Sequence, residues 1–188
     1  MSRWPSNPRG RLEQAAMDLF VERGYDQTTV AEIAERAGLT ERTFFRHFSD
    51  KREVLFQGGE LLRATMVEAL AAAPADAPPM AAVHAAVTSV AIFFDERHDM
   101  SRLRQGIIDA HPELQEREVA KMAMIALALA AGLRERGVAD PDARLAADAG
   151  IAVFRSAFAQ WVRSESGDMA KSMKECFAAL EKLVERAG

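Results

Sequence analysis

The stretch Thr28 to Lys51, TTVAEIAERAGLTERTFFRHFSDK, constrains the fold of this chain more than any other. Val30, Ile33, Ala34 and Ala37 recur at the i, i+3, i+4, i+7 spacing of one helical face, and Thr29 with Glu32 forms a capping box at its start. Gly38, just past the last apolar position, supplies the left-handed backbone that stops a helix, and Thr40 is the N-cap of the next one. In that second helix Phe44 and Phe48, four apart, anchor one face, while Arg42, Thr43, Phe45, Arg46 and His47 point elsewhere. Two short helices joined by a glycine turn make a helix-turn-helix, and the groups left outside its core call for an external partner.

DNA has the chemistry that fits them. Arginine can fork onto guanine O6 and N7, threonine can donate to phosphate or touch a thymine methyl, and a short helix fits the major groove. Asp50 and Glu53 read as the N-cap and N3 residues of a third helix, which puts Lys51 and Arg52 in its first turn, where the positive end of the helix dipole disfavours cations. A bound anion, such as a DNA phosphate, would reconcile them.

These residues resemble the DNA-binding domain of the TetR family of bacterial transcriptional regulators. The resemblance is carried by GLTERTFFRHFSDKREVLF preceded by GYDQTTVAEIAERA: the pair Gly24 and Tyr25, the double threonine, the Ala37-Gly38 turn and the T-F-x-x-H-F…K pattern stand in register. It is firm over the N-terminal quarter of the chain. Position by position, it implies phosphate contacts at Thr28, Thr29, Thr43, His47 and Lys51, and base readers at Glu41, Arg42, Thr43 and Arg46, with Thr40 at the start of the reading helix. Family members often carry tyrosine where this chain has Phe45, so Phe45 offers apolar contact to a sugar or thymine methyl in place of a hydroxyl-to-phosphate bond.

A chain of 188 residues holds one ordinary core plus a small headpiece. Ala, Leu, Glu, Arg and Met dominate, prolines cluster at boundaries and alternating β-branched runs are absent, so the fold class is all-α. The expected division is a helix-turn-helix domain with its N-terminal arm over residues 1–50, then a connector helix and a helical effector-binding and dimerisation domain over 51–188. The net charge of −4 argues against a generally sticky nucleic-acid binder, but Arg42, Arg46, Lys51 and Arg52 stand against Asp50 alone in their stretch, and Arg3 and Arg9 add to the arm. A single cysteine, Cys176, excludes an internal disulfide, and the polar start MSRWPSNPRG is no signal peptide, so the expected compartment is the cytoplasm. The longest apolar run, Met122 to Leu133, is too short for the roughly 20 residues of a membrane span.

Around the reader, a helix from Arg9 to Gly24 carries Leu12, Ala15, Ala16, Leu19 and Phe20 on one stripe, with Tyr25 packing beside it. A connector helix is expected from Lys51 to Ala73, in which Gly58 and Gly59 mark a close approach or a kink. PADAPP, Pro74 to Pro79, is a linker, after which Met80, Val83, His84, Val87, Ala91 and Phe94 mark a helix ending near Asp95 to His98. His84 reads as a core histidine satisfied by a carbonyl, or as a polar anchor in a ligand cavity. A helix with Leu103, Ile107 and Ile108 is broken at His111 by Pro112, which opens a long helix ended by Gly137.

Asp140 and Pro141 are the N-cap and first residue of a helix reaching Val162, which has two apolar sides. Ile151, Phe154, Phe158 and Trp161 form one, and Leu145, Ala149, Ala152, Val153 and Ser156 a smaller-residue face. A last helix presents Met169, Met173, Cys176, Phe177, Leu180 and Val184. One core covers only one side, so a homodimer through these two helices is expected, at Ala149, Ala152, Val153, Phe177, Leu180 and Val184. The same pair makes the dimer interface in the resembled family.

The family also implies an effector cavity, for which His84, Phe94, Leu103, Ile107, Met122 and Phe158 are the candidates. The function expected is a transcriptional regulator, acting as a repressor that leaves a palindromic double-stranded DNA operator when a small apolar or amphipathic molecule binds. No metal or cofactor is expected, nor a membrane partner. The alternatives are a helical hydrophobe-binding protein without a specific DNA target, and an enzyme. HExxH, GxSxG, paired metal-ligand spacings and a phosphate-binding glycine loop are all missing from the sequence, which places the enzyme last.

Overall fold

The computed structural model describes residues 7–94, 97–165 and 167–186, and among these there are helices and no strand. The helices are α1 (Pro8–Arg23), α2 (Val30–Arg36), α3 (Glu41–His47), a 3-10 helix (Lys51–Phe56), α4 (Gly59–Ala72), α5 (Pro79–Thr88), a second 3-10 segment (Ala91–Phe94), α6 (His98–Asp109), α7 (Pro112–Glu135), α8 (Asp140–Arg163) and α9 (Met169–Glu185). They divide into two compact units, Met1–Gln57 with Gly106–Leu114, and Gly58–Gln105 with Gln115–Gly188. The boundary read from the sequence at 50/51 falls inside the first unit. The arm up to residue 6, including Arg3, lies outside the described residues.

In the first unit the caps at Gly24, Thr29, Gly38 and Thr40 stand where the sequence puts them, while α1 starts one residue before the expected Arg9. Asn7 accepts from the Gly10 N–H ahead of Pro8, and Gly24 at φ 86° closes α1. Both halves of the Thr29–Glu32 capping box are formed. Gly38 at φ 64° turns the chain toward Thr40, whose hydroxyl accepts from the Thr43 N–H. Leu12, Ala15, Ala16, Leu19 and Phe20 of α1 are buried with Ile33 and Ala34 of α2 and Phe44 of α3. Arg9 belongs to α1 rather than to an arm and lies over the Phe48 ring.

The second unit is a helical core in which Leu62, Met66 and Leu70 of α4 join Ala82, Val83, Ala86 and Val87 of α5 and the inner faces of α7, α8 and α9. Glycines set two close approaches: a Cβ at Gly150 would stand 2.2 Å from Val83 Cγ1, and one at Gly132 2.6 Å from Leu70 Cδ2. Arg136 caps the end of α4 on the carbonyls of Leu70, Ala73 and Pro74.

Three expectations are corrected. The connector is not one helix from Lys51, because a 3-10 helix ends at Phe56 and α4 begins at Gly59; Gly58 and Gly59 at this junction have the weakest hold on helical backbone. Gly59 is also a close approach, with Lys121 Cδ 2.9 Å from where its Cβ would be. The helix after the linker stops at Thr88, where the Thr88 and Ser89 hydroxyls donate to the carbonyls of His84 and Ala86 and a 3-10 segment takes over. Its expected end at Asp95 lies outside the described residues. The N-cap of α8 is Ala139, one residue before Asp140. No helix among the described residues is long and apolar enough to cross a membrane, and no three His, Cys, Asp or Glu side chains among them gather where a metal could sit.

Candidate nucleic-acid interface

Seven residues make α3, and their spacing decides what it can touch. Phe44 is 0% and Phe48 2% exposed, their rings 5.1 Å apart, so this edge is fixed in the headpiece core. Glu41, Arg42, Phe45 and Arg46 are exposed on the other side, Phe45 at 54%. Among the described residues neither Arg42 nor Arg46 has an ion pair or hydrogen bond through its guanidinium. The turn behind them is locked: Arg11 of α1 donates to the carbonyls of Ala37 and Gly38, where α2 ends. The result is a rigid short helix with two open cationic forks and a free aromatic face, a geometry that suits hydrogen-bond acceptors on base edges.

The residues expected at phosphates fall into two groups. Thr29 is exposed with its hydroxyl donating to Glu32 at 2.9 Å, Thr40 is exposed, Thr43 is half-buried with its hydroxyl 3.0 Å from that of Thr40, and His47 is half-buried with a buried Nε2 that has no hydrogen-bond partner among the described residues. Thr28 and Lys51 are corrected. Thr28 is 1% exposed and its hydroxyl donates to the carbonyls of Gly24 and Leu19, which ties the α1–α2 loop and leaves nothing for a phosphate.

Lys51 donates to the carbonyls of Tyr25 at 2.7 Å, Thr28 at 3.1 Å and Asp26 at 3.3 Å, with its ammonium 4.3 Å from the centre of the Tyr25 ring. All three N–H bonds are therefore occupied. Burial pulls the ammonium below its ordinary range, and Asp26 and Glu113 oppose that pull. Arg52, the other cation of that first turn, pairs with the capping Asp50 at 2.6 Å. Backbone carbonyls and Asp50 thus supply the negative partners for which the sequence suggested a bound anion. The role of Lys51 lies in the destination of a long side chain 26 residues back along the chain, which no local pattern signals.

Of the effector candidates, Phe94, Met122 and Phe158 lie in or against the core of the second unit. Phe94 is 5.6 Å from Phe158 and 5.4 Å from Trp161, ring centre to ring centre. His98, absent from the candidates, joins this cluster with Nε2 2.9 Å from the Trp161 carbonyl and its ring 4.9 Å from the indole. Leu103 is half-buried on α6. Ile107 groups with the first unit, and His84 is exposed with its ring 4.3 Å from Phe177, neither a satisfied core histidine nor a cavity anchor.

The two faces of α8 separate by size. Ile151, Phe154 and Trp161 are buried, whereas Leu145, Ala152 and Ser156 are exposed and Ala149 is half-buried. On α9 Leu183 and Val184 are exposed at 66% and 65%, and Leu180 is half-buried. Val153 and Phe177 are corrected as partner contacts: each is 5% exposed and belongs to the chain's own core.

Comparison with known proteins agrees with this geometry. Residues 13–57 match the model for bacterial regulatory proteins of the tetR family, and residues 77–185 match the MftR C-terminal domain. The HTH-type transcriptional regulator TcmR of Streptomyces glaucescens is 38% identical over 82 residues, which is 44% of this chain and 36% of that protein. The chain thus spans about a third of the length of that relative. A FadR repressor of Thermus thermophilus, solved in complex with lauroyl-CoA, is 25% identical with a TM-score of 0.55 over 92% of both chains. The FadR of Bacillus subtilis, solved with stearoyl-CoA, is 18% identical and shares the fold with a TM-score of 0.62 over 90% of this chain and 96% of its own.

Proposed function

Because the chain belongs to the TetR family of bacterial regulatory proteins, we propose that it is a sequence-specific DNA-binding transcriptional regulator, a repressor that binds a palindromic operator as a homodimer in the cytoplasm. The observation that carries this reading is α3, with Phe44 and Phe48 buried and the forks of Arg42 and Arg46 exposed and unpaired among the described residues. Glu41 and Thr43 would share base reading, Phe45 would cover a sugar or thymine methyl, and Thr29, Thr40 and His47 would hold phosphates. Function here is binding and release, with no catalytic step.

Release would come from a ligand bearing a long acyl chain. The Thermus thermophilus FadR was solved with lauroyl-CoA, and the second unit of this chain offers matching chemistry in Met66, Met122, Phe94 and Phe158, flexible or aromatic groups along an apolar core. By linkage such a ligand lowers operator affinity only if it binds the DNA-free form more tightly, and a coupling of about 1–3 kcal/mol gives roughly a 5- to 150-fold effect. The test is selection of bound duplexes from random DNA by the full chain, followed by titration with lauroyl-CoA. The expected outcome is a two-fold-related consensus whose half-sites lie about one helical turn apart, released by the acyl thioester. No enrichment over non-specific competitor would overturn DNA reading, and release by no acyl compound would overturn the ligand class alone.

A further inference from the structure

The corner between α6 and α7, Gly106–Leu114, groups with the headpiece, and it is anchored by Ile108 and Leu114, which are 1% and 0% exposed. Between these anchors stands His111. Its Nδ1 is 2.7 Å from the Ile107 carbonyl oxygen and its Nε2 is 3.3 Å from Oδ1 of Asp26, while its ring meets the Tyr25 ring edge-on at 4.8 Å. Tyr25 is packed by Phe20 at 5.2 Å and by the Lys51 ammonium, and Lys51 in turn holds the carbonyls of Tyr25, Asp26 and Thr28. The loop between α1 and α2 is therefore tied at one place to α1, to the 3-10 helix and to the α6–α7 corner. It ends at Thr29, the N-cap of the first reader helix.

The hydrogen bond to Ile107 fixes which nitrogen titrates. A carbonyl only accepts, so Nδ1 carries a proton, and in the neutral ring Nε2 then presents a lone pair to the lone pairs of the Asp26 carboxylate. That contact is attractive only when Nε2 is protonated too. We infer that His111 is a positioning residue for the DNA reader: as an imidazolium it clips the α6–α7 corner to Asp26 and steadies the loop that leads into α2, so that operator affinity falls as pH rises.

Charged and titratable groups around the His111–Tyr25 pair come from the loop, the 3-10 helix and α7: Asp26 beside Nε2, Lys51 and the Asp50–Arg52 pair on the Tyr25 side, and Glu113 of α7. The bond to Ile107, then Asp26 and Glu113, raise the imidazole above its ordinary value against the opposing effect of burial. A raised folded-state value means the clip is fully present below the unperturbed value and is lost as pH climbs through the raised one.

This inference rests on the DNA-binding reading, and two measurements on the full chain separate the two. With a duplex selected from random DNA, wild-type affinity should drop about two- to fivefold between about pH 6 and about pH 8, the range of an ion pair with one exposed partner. His111→Gln and Asp26→Asn should each remove that share of the slope, and the double variant should remove no more. Measurement in a His47→Gln background excludes the reader's own histidine. A slope unchanged by both substitutions overturns the inference. Independently of DNA, the His111 ring followed by NMR should titrate at higher pH in the wild type than in Asp26→Asn, and equal titration overturns it as well. If no duplex is enriched, DNA reading fails and the positioning role with it, while the NMR result still decides whether the clip exists.

Discussion

Arg42 and Lys51 are both cations of the headpiece, yet they do opposite work. Arg42 and Arg46 leave α3 on the side away from Phe44 and Phe48 and keep their donors free of partners among the described residues. Lys51 has its donors on three carbonyls of the α1–α2 loop. Substitution should separate the two roles. Arg42→Ala or Arg46→Ala should cost roughly 1–3 kcal/mol per half-site and relax preference at one base pair, with little effect on thermal unfolding. Lys51→Met should instead lower the unfolding temperature, because it removes the one group that ties the part-buried carbonyls of Tyr25 and Thr28 and that of Asp26 together, and should weaken all duplexes alike through a looser loop. Competition binding against a panel of single-base variants, beside a melting curve for each protein, checks both. Unchanged base preference in both arginine variants would remove α3 from the role of reader.

At the scale of helices, α6 and α7 are clasped by a half-buried ionic group. Glu118 accepts from Arg104 at 2.7 Å and from Lys121 at 2.9 Å, the three side chains being 20%, 21% and 19% exposed for Arg104, Glu118 and Lys121. Burial first, and Arg104 second, push Lys121 down to about 8, against the pull of Glu118. Glu118→Gln should therefore cost about 1–3 kcal/mol near neutral pH, since the carboxylate charge that Arg104 and Lys121 share is lost in partly dry surroundings. An unfolded lysine keeps its proton to about pH 10.4, so above the folded value the unfolded chain binds more protons and stability rises with pH. The deficit should shrink between about pH 7 and about pH 9 as Lys121 deprotonates, read as converging urea midpoints of variant and wild type. Equal deficits at both values would show that the charge pair is not what holds the clasp. This clasp was not legible in the sequence, because it depends on residues that meet only after folding, whereas Gly58 and Gly59 marked a kink or close approach and left open only that the connector divides there. The helix-turn-helix was legible because its signals are local: the Thr29–Glu32 box, the Gly38 turn and the Thr40 cap each act within a few residues. The two faces of α8 looked equally apolar, and only packing showed that Ile151, Phe154 and Trp161 fill the core.

For the whole molecule, the exposed face of α8 decides whether one chain suffices. Leu145 is 71% exposed, Ala152 and Ser156 are exposed beside it and Ala149 is half-buried, while α9 leaves Leu183 and Val184 open. Small residues at i, i+3 and i+7 let a second helix approach closely, and a two-fold axis brings the same stripe from each copy together. A palindromic operator demands that arrangement, because two readers must enter successive major grooves roughly 34–36 Å apart, and a single seven-residue reader makes too few contacts to hold alone. Ala152→Glu places a charge in the centre of that stripe without disturbing the chain's own core, since Ala152 faces outward. Two carboxylates would then meet across the axis with no partner, which costs several kcal/mol when desolvated and should turn dimers into monomers. Sedimentation at micromolar concentration should show the wild type at twice the mass of the variant. Operator binding should be lost in the variant while its circular dichroism and melting curve match a folded protein. Ala152→Leu is the control for size, keeping the face apolar. A wild-type monomer, or a variant that still binds the full operator as a monomer, would overturn the role given to this face.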